Sequence, residues 1–506
     1  MVAIVANVPT SRQDIDFFQA FDEKPWFDPV AIWNHQAKTA ESIPVLMDEA
    51  IRQAYQRKGP AVLILPKDFG WDKIEDNFRN NAAAHKVVPN FPAPRKEQVD
   101  KALELIKNAE NPIVYFGHGA EDASAELKEF SDKLKMPLVS SVLGKGIVED
   151  EFPAYMGSIG RVGAKPSNDI QTHADLVVWV GNNLPFSVFF FNPNAKVIQI
   201  DINSERLGKR HAVTVPMLAD AKKTLRALIE AGESRPESPL YKAALADREN
   251  WEAWLESFND SDEIPMRVEP IFDVINKKAA DDAVFAVDVG NVNINFDRLM
   301  HLHGDQKWTT SGLYATMGYG APASLAAATI YPNREVWNLA GDGGFAMMNQ
   351  ELLTQARYNM HVINVVFTNE TLGYIEAEQV DESHQPLSGV KLPDNDWAMS
   401  AEGMNVKGFT VRNKREFEDA VTASQQMEGP VLIYCKITHD MPYSTELNTL
   451  DDPAFVAKYD AQALKPFSYF AGKYGVEADA ASGASEHTEA EPVEAEEDAS
   501  SGASRH

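Results

Sequence analysis

The chain has 506 residues, 44% of them apolar, and a formal charge of -28 at pH 7. That is material for two or three cores, since single cores stop growing at about 250 to 300 residues. The charge excludes a nucleic-acid binder, which needs a basic footprint, and no apolar run approaches the roughly 20 residues of a membrane-spanning helix.

Strand-length apolar bursts alternate with helical patterns in chain order: VAIVA, AVLILP, PIVYFG, LVVWVG, VIQID, AVFAVD, EVWNLAG, VINVVFTN and VLIYCKI. They are continuous rather than alternating, which suits parallel strands buried on both faces and predicts an α/β chain of doubly wound parallel sheets. The first burst starts at Met1, so residues 1–80 read as the later part of an incomplete domain with an unpaired sheet edge. The proline-bearing stretch 81–95 reads as a linker. Residues 96–262 and 263–440 read as two further domains, 441–476 as an arm and 477–506 as a disordered tail with nine acidic residues against one arginine. The start MVAIVANVPT lacks a basic leader region, so the expected compartment is the cytoplasm. Cys435, the single cysteine, excludes an internal disulfide framework and reads as a buried strand thiol.

The most informative stretch is EVWNLAGDGGFAMMNQELLTQARYNMHVINVVFTNETLGYIE. A strand runs into Gly341-Asp342-Gly343-Gly344, a helix follows, and a second strand ends at Asn369. Glycines at a strand end let backbone amides approach an anion, and a diphosphate is the natural guest. Asp342 and Asn369 are separated by 26 residues, the length needed to run a helix back and return along the neighbouring strand. Both then reach the carboxyl edge of the sheet. Oxygen ligands of this kind, completed by the backbone carbonyl of Thr371, suit Mg²⁺. Gly-Asp-Gly, 25 residues and then Asn, with strand, helix and strand between, is the thiamine diphosphate signature.

With IDFFQAFDEKPWF, AIRQAYQRKGPAVLILPKD, KGIVEDEFPAYMGSIGRVGAKPSN, QIDINSERLGKRH, LYATMGYGAPASLAA and NETLGYIEAEQ beside that motif, the chain from Met1 to about Tyr474 resembles a known family. This is the thiamine-diphosphate-dependent family of acetolactate synthase, pyruvate decarboxylase and pyruvate oxidase, and the likeness is strongest to the bacterial pyruvate oxidase branch. The resemblance implies three sheet domains, with residues 263–440 binding the diphosphate and Met317 propping the cofactor into its bent form. It implies an FAD site in the middle domain, on Gly117 and Gly119, Arg161, Asn182, Asn183 and Asp201. Phe18 and Gln19 would reach over the pyruvate site, and Tyr374, Ile375 and Glu378 would stand above the thiazolium. Tyr374 stands where the family pattern has phenylalanine.

The implied reaction joins pyruvate, phosphate and O₂ to give acetyl phosphate, CO₂ and H₂O₂, in a homo-oligomer such as a dimer or tetramer. By the same resemblance the family's catalytic glutamate falls ahead of Met1, so weak cofactor activation is expected of the chain as written. Other readings are an acetolactate synthase, a quinone-linked pyruvate dehydrogenase, or a catalytically inactive cofactor-binding scaffold.

Overall fold

A computed structural model describes residues 1–439 apart from 77, 79, 80, 86–89, 161, 172, 188–190 and 380–385. Arg161, the arm at 441–476 and the acidic tail therefore lie outside the described residues. The chain divides into two compact units, Met1–Phe91 and the remainder from Pro92.

The first unit holds a parallel sheet of β1 (Val2–Asn7), β2 (Trp33–Gln36) and β3 (Ala61–Pro66), in the order β1-β3-β2. The central strand carries the apolar run AVLILP and is almost wholly buried, whereas the edge strand β1 leaves Ile4 60% exposed. The helix Ile43–Arg57 packs on this sheet and ends at Lys58, which takes a left-handed conformation.

The second unit contains two six-stranded sheets, both wholly parallel. The first is built from β4 (Pro112–Phe116), β5 (Leu138–Ser140), β6 (Tyr155–Ser158), β7 (Leu176–Val180), β8 (Lys196–Asp201) and β9 (Val215–Leu218), in the order β6-β5-β4-β7-β8-β9. Its strands are buried on both faces: Val114 and Phe116 enter one core while Ile113 and Tyr115 enter the other. Each such side chain contributes roughly 1.5–3 kcal/mol by leaving water, which is why the apolar bursts other than that of β1 lie in strands flanked on both sides.

The second sheet comprises β10 (Val284–Val287), β11 (Lys307–Thr309), β12 (Val336–Gly341), β13 (Val362–Thr368), β14 (Lys407–Val411) and β15 (Val431–Lys436), in the order β11-β10-β12-β13-β15-β14. Cys435 is fully buried in β15, and burial pushes its thiol well above the ordinary range. In both sheets the chain moves outward from one strand and then crosses to its other side, at β4/β7 and at β10/β12. Such reversals open a crevice at the carboxyl ends of the two strands, where open α/β sheets take ligands.

The two sheets of this unit are joined by buried and part-buried polar contacts. Ser158 at the end of β6 donates to Asp297 at 2.9 Å, and Arg298 donates to the carbonyl of Gly163 at 2.9 Å. Asp150 accepts from the Leu302 amide at 2.9 Å, and the Trp308 indole donates to the Lys145 carbonyl at 2.9 Å. Among the described residues no helix is long and apolar enough to cross a membrane.

Candidate active site

At the β10/β12 reversal the glycine-rich turn is built as its sequence requires. Gly341 closes β12, and a Cβ placed there would meet nothing within 4 Å, so its surface is open. Asp342 opens the helix Asp342–Met348 and is only 5% exposed. One of its oxygens accepts the Gly343 amide at 2.8 Å and the other the Glu370 amide at 2.9 Å. Since β12 and β13 pair with Gly341 opposite Phe367, the end of β13 brings Asn369 up beside the turn. Burial pushes the Asp342 carboxyl up to about 6, against the pull of the surrounding amides.

Glu370 has φ 59°, a left-handed conformation that a non-glycine residue adopts only where its surroundings hold it. The segment after it is tied by an isolated antiparallel bridge between Thr371 and Lys391, with Leu372 donating to Val390 at 2.9 Å and Leu392 to Glu370 at 2.9 Å. In that pattern the N–H and C=O of Thr371 point away from the bridge. Its hydroxyl is already engaged, donating to Glu376 at 2.5 Å. The atom of Thr371 left for a metal is thus the backbone carbonyl. Among the described residues there is no group of three His, Cys, Asp or Glu side chains that could hold an ion. A divalent ion here would be bound by one carboxylate, an amide and a carbonyl, together with phosphate oxygens, a donor set that fits Mg²⁺.

Met317 is half-buried, and its terminal methyl lies 3.4 Å from a Cβ built on Gly343. Leu372 crowds the same point at 2.5 Å, so a side chain at Gly343 would displace these side-chain ends. The turn that carries Met317 continues through Gly318, with φ 78°, into the helix Gly320–Ile330. Asp288, at the end of β10, accepts the amides of Gly318 and Gly320, each at 3.0 Å.

At the β4/β7 reversal the expected dinucleotide residues also converge, but they pack differently. Gly117 and Gly119 follow β4, Asn182 and Asn183 follow β7, and Asp201 ends β8. A Cβ on Gly117 would stand 2.8 Å from the Asn182 side chain, and one on Gly119 would stand 2.7 Å from the Gly181 backbone. The glycines let two loops close on one another. Their amides are already used, Gly117 donating to Val180 at 3.1 Å and Gly119 to Gly181 at 2.9 Å. Asn182 clamps the turn, donating to Phe116 at 3.2 Å and accepting from Leu184 at 2.9 Å, and Asn183 accepts from Arg210 at 3.1 Å.

Asp201 is different. One oxygen accepts the Asn203 amide at 2.8 Å, while the other is buried without a hydrogen-bond partner, and burial raises the carboxyl. An acceptor of this kind at the edge of a Rossmann-ordered sheet fits a ribose hydroxyl of a dinucleotide. His118, between the two glycines, leaves its side chain 72% exposed.

The short helix Gly373–Ala377 carries Tyr374 and Ile375, and Glu378 caps its end, one turn on from Tyr374. Tyr374 is half-buried, and Ile375 is 39% exposed. Phe18 and Gln19 belong to the first unit, on an exposed loop where Phe18 is 79% exposed and Gln19 takes φ 60°.

Comparison with known proteins decides the family. Residues 99–228 match the central domain of the thiamine pyrophosphate enzymes, and residues 288–435 match their C-terminal TPP binding domain. A pyruvate oxidase of Lactiplantibacillus plantarum is 39% identical over 94% of this chain and 81% of its own length. The chain belongs to the thiamine pyrophosphate enzymes. Among other relatives of this thiamine pyrophosphate enzyme, the acetolactate synthase isozyme 1 large subunit of Escherichia coli is 27% identical over 86% of the chain and 78% of its own length. An acetolactate synthase of Arthrospira platensis is 27% identical over 87% and 78%.

Two residues of this enzyme's sheet edges escape a reading of motifs. Asp288 is one, although Asp-Val-Gly at the end of an apolar burst repeats the pattern of an acid and a glycine that marks Asp342. Gly181 is the other. Its role follows only from the loop it faces.

Proposed function

We propose that this thiamine pyrophosphate enzyme is a pyruvate oxidase, converting pyruvate, phosphate, O₂ and a proton to acetyl phosphate, CO₂ and H₂O₂ with Mg²⁺ and FAD. The observation that carries the reading is 39% identity to a pyruvate oxidase along 94% of the chain, against 27% to the acetolactate synthases named above. When bound, thiamine diphosphate supplies the electron sink that lets CO₂ leave, and FAD the acceptor for the electron pair.

The chain's own part is to hold and orient. Asp342, Asn369 and the Thr371 carbonyl would hold Mg²⁺, while Gly341 leaves the turn open to the diphosphate and Gly343 and Gly344 complete that turn. Met317 supports the bend of the cofactor. Asp201 takes a ribose hydroxyl, the closed loops at Gly117, Gly119, Asn182 and Asn183 form the floor of the flavin site, and Arg161, outside the described residues, is read as a further flavin ligand. Tyr374, Ile375 and Glu378 stand on the substrate side of the cofactor and keep water from the reacting carbon, and Phe18 and Gln19 of the first unit are read as further substrate-side residues. The enzyme works in the cytoplasm as a homo-oligomer, a dimer or tetramer.

The test is to purify the full chain, record its flavin absorbance, and add pyruvate anaerobically with thiamine diphosphate and Mg²⁺. Bleaching that requires both, followed on admitting O₂ by peroxide and phosphate-dependent acetyl phosphate, is the expected result. Acetolactate without bleaching would replace this reading by that of a synthase, and reoxidation by a quinone but not O₂ would replace the oxidant.

A further inference from the structure

Asp288 is fully buried at the carboxyl end of β10, beside the crevice between β10 and β12. Its hydrogen-bond partners among the described residues are backbone N–H groups. One oxygen accepts from Val289 at 2.7 Å and from Gly318 at 3.0 Å, and the other accepts from Gly320 at 3.0 Å. Burial raises its carboxyl, and these amides oppose the rise.

The carboxylate stands between two segments. On one side is the turn Gly318-Tyr319-Gly320 that follows Met317. On the other is Gly344 of the glycine-rich turn, where a built Cβ would lie 2.6 Å from the Asp288 oxygen. The stretch leading to Met317 has little else to fix it: Leu313 is 70% and Tyr314 89% exposed, and Ala315 takes φ 51°. Its other ties are local, Ala315 to the Ser311 carbonyl at 2.9 Å, Thr316 to the Ser311 hydroxyl at 3.1 Å, and Tyr319 to Thr309 at 2.6 Å.

We propose that Asp288 is a positioning residue for thiamine diphosphate, its carboxylate gathering the amides of Gly318 and Gly320 and so fixing Met317 against Gly343. This rests on the reading of Met317 as the support of the bent cofactor. The chemistry calls for a carboxylate. It presents acceptors on both oxygens, whereas asparagine of the same shape turns one of them into an NH₂ donor facing an amide N–H. The anion acts through the backbone, while Asp342, across the same crevice, keeps its carboxylate for the metal.

The experiment compares two ligands on the full chain without cofactor, using fluorescence of its 9 tryptophans: thiamine diphosphate with Mg²⁺, and inorganic pyrophosphate with Mg²⁺. Pyrophosphate uses the glycine turn and the metal but has no thiamine part for Met317 to support. Asp288→Asn is expected to weaken thiamine diphosphate by about tenfold or more, the scale of one lost charge-assisted hydrogen bond, and to leave pyrophosphate within about twofold. Met317→Ala should give the same selective loss, and the double variant should lose less than the product of the two. Asp288→Glu keeps the charge but displaces both oxygens and carries the same expectation, so failure of one variant to fold leaves the other decisive. Equal losses for both ligands would make Asp288 a structural residue of the turn, and unchanged thiamine diphosphate binding would remove it from the site; either overturns the proposal. Wild-type protein that takes pyrophosphate but not thiamine diphosphate would instead overturn the reading of Met317, and the proposal with it.

Discussion

The two six-stranded sheets of the second unit reverse direction in the same way, yet the glycines at their crevices serve opposite ends. At β12 Gly341 is open, and the acid beside it is buried and ringed by amides at 2.8 and 2.9 Å. At β4 the glycines are spent on bringing two loops together, a Cβ on Gly119 lying 2.7 Å from Gly181, and the acceptor is supplied two strands away by Asp201. Winding alone makes a crevice; the residues facing each glycine decide whether it stays open or is spent on closing two loops.

The sharpest way to break this comparison is Asp342→Asn. If the carboxylate is the one charged metal ligand, Mg²⁺-dependent binding of thiamine diphosphate should fall by about 100-fold or more, the upper range for a hydrogen-bonded charged group. Calorimetric titration of the full chain checks it, and under the proposed function flavin content should not change, because the residues proposed for FAD belong to the other sheet.

The seam between the sheets gives a pH-dependent test. Asp297 is fully buried, and burial pushes its carboxyl up to about 6 against the attraction of Lys145 and Arg298. A raised carboxyl contributes stability that is fully present below its unfolded value of 3.8 and is lost as the pH rises through about 6. Asp297→Asn removes that dependence. Its stability relative to wild type should therefore rise by roughly 2–3 kcal/mol between pH 4 and 7, read from urea midpoints. A constant difference across that range would show that Asp297 does not titrate there.

Next in size is Gly119→Ala. The added methyl meets backbone rather than a flexible side-chain end, so the loops must part, at a cost of about 1–3 kcal/mol in thermal or urea unfolding. Flavin retention should fall with it, while thiamine diphosphate binding stays as it was. The smallest effect belongs to His118→Ala. With its side chain 72% exposed, replacement should change neither stability nor flavin content, and a large loss of flavin would mean that the loop reaches the ligand directly.

The nine apolar bursts of the sequence all became strands. Among the described residues, the six strands without such a burst are instructive: β2, β6, β9, β11 and β14 are sheet edges, and β5, three residues long, lies next to one. These edge strands bury less and keep polar residues, as in WNHQ and KGFTV, so they carry no continuous apolar signal, whereas the edge strand β1 does carry one. Strand order was equally silent, because nothing in a burst says which side of its neighbour it will take. The thiamine diphosphate turn was legible for the opposite reason. Its acid, its glycines and its asparagine lie on consecutive strands, so their spacing along the chain mirrors their spacing in space.

The sequence by itself determined the α/β class, the buried strands and the turn that pairs Asp342 with Asn369, since each depends on residues close in the chain or on continuous apolarity. Only the tertiary structure decided that Gly117 and Gly119 face a second loop, that Asp201 keeps an unpaired oxygen, and that Asp288 accepts the amides of Gly318 and Gly320 while lying against Gly344. Those relations join segments up to tens of residues apart. A contact between distant segments is fixed by how the sheets wind and how closely two backbones can approach, and neither leaves a local mark on the chain.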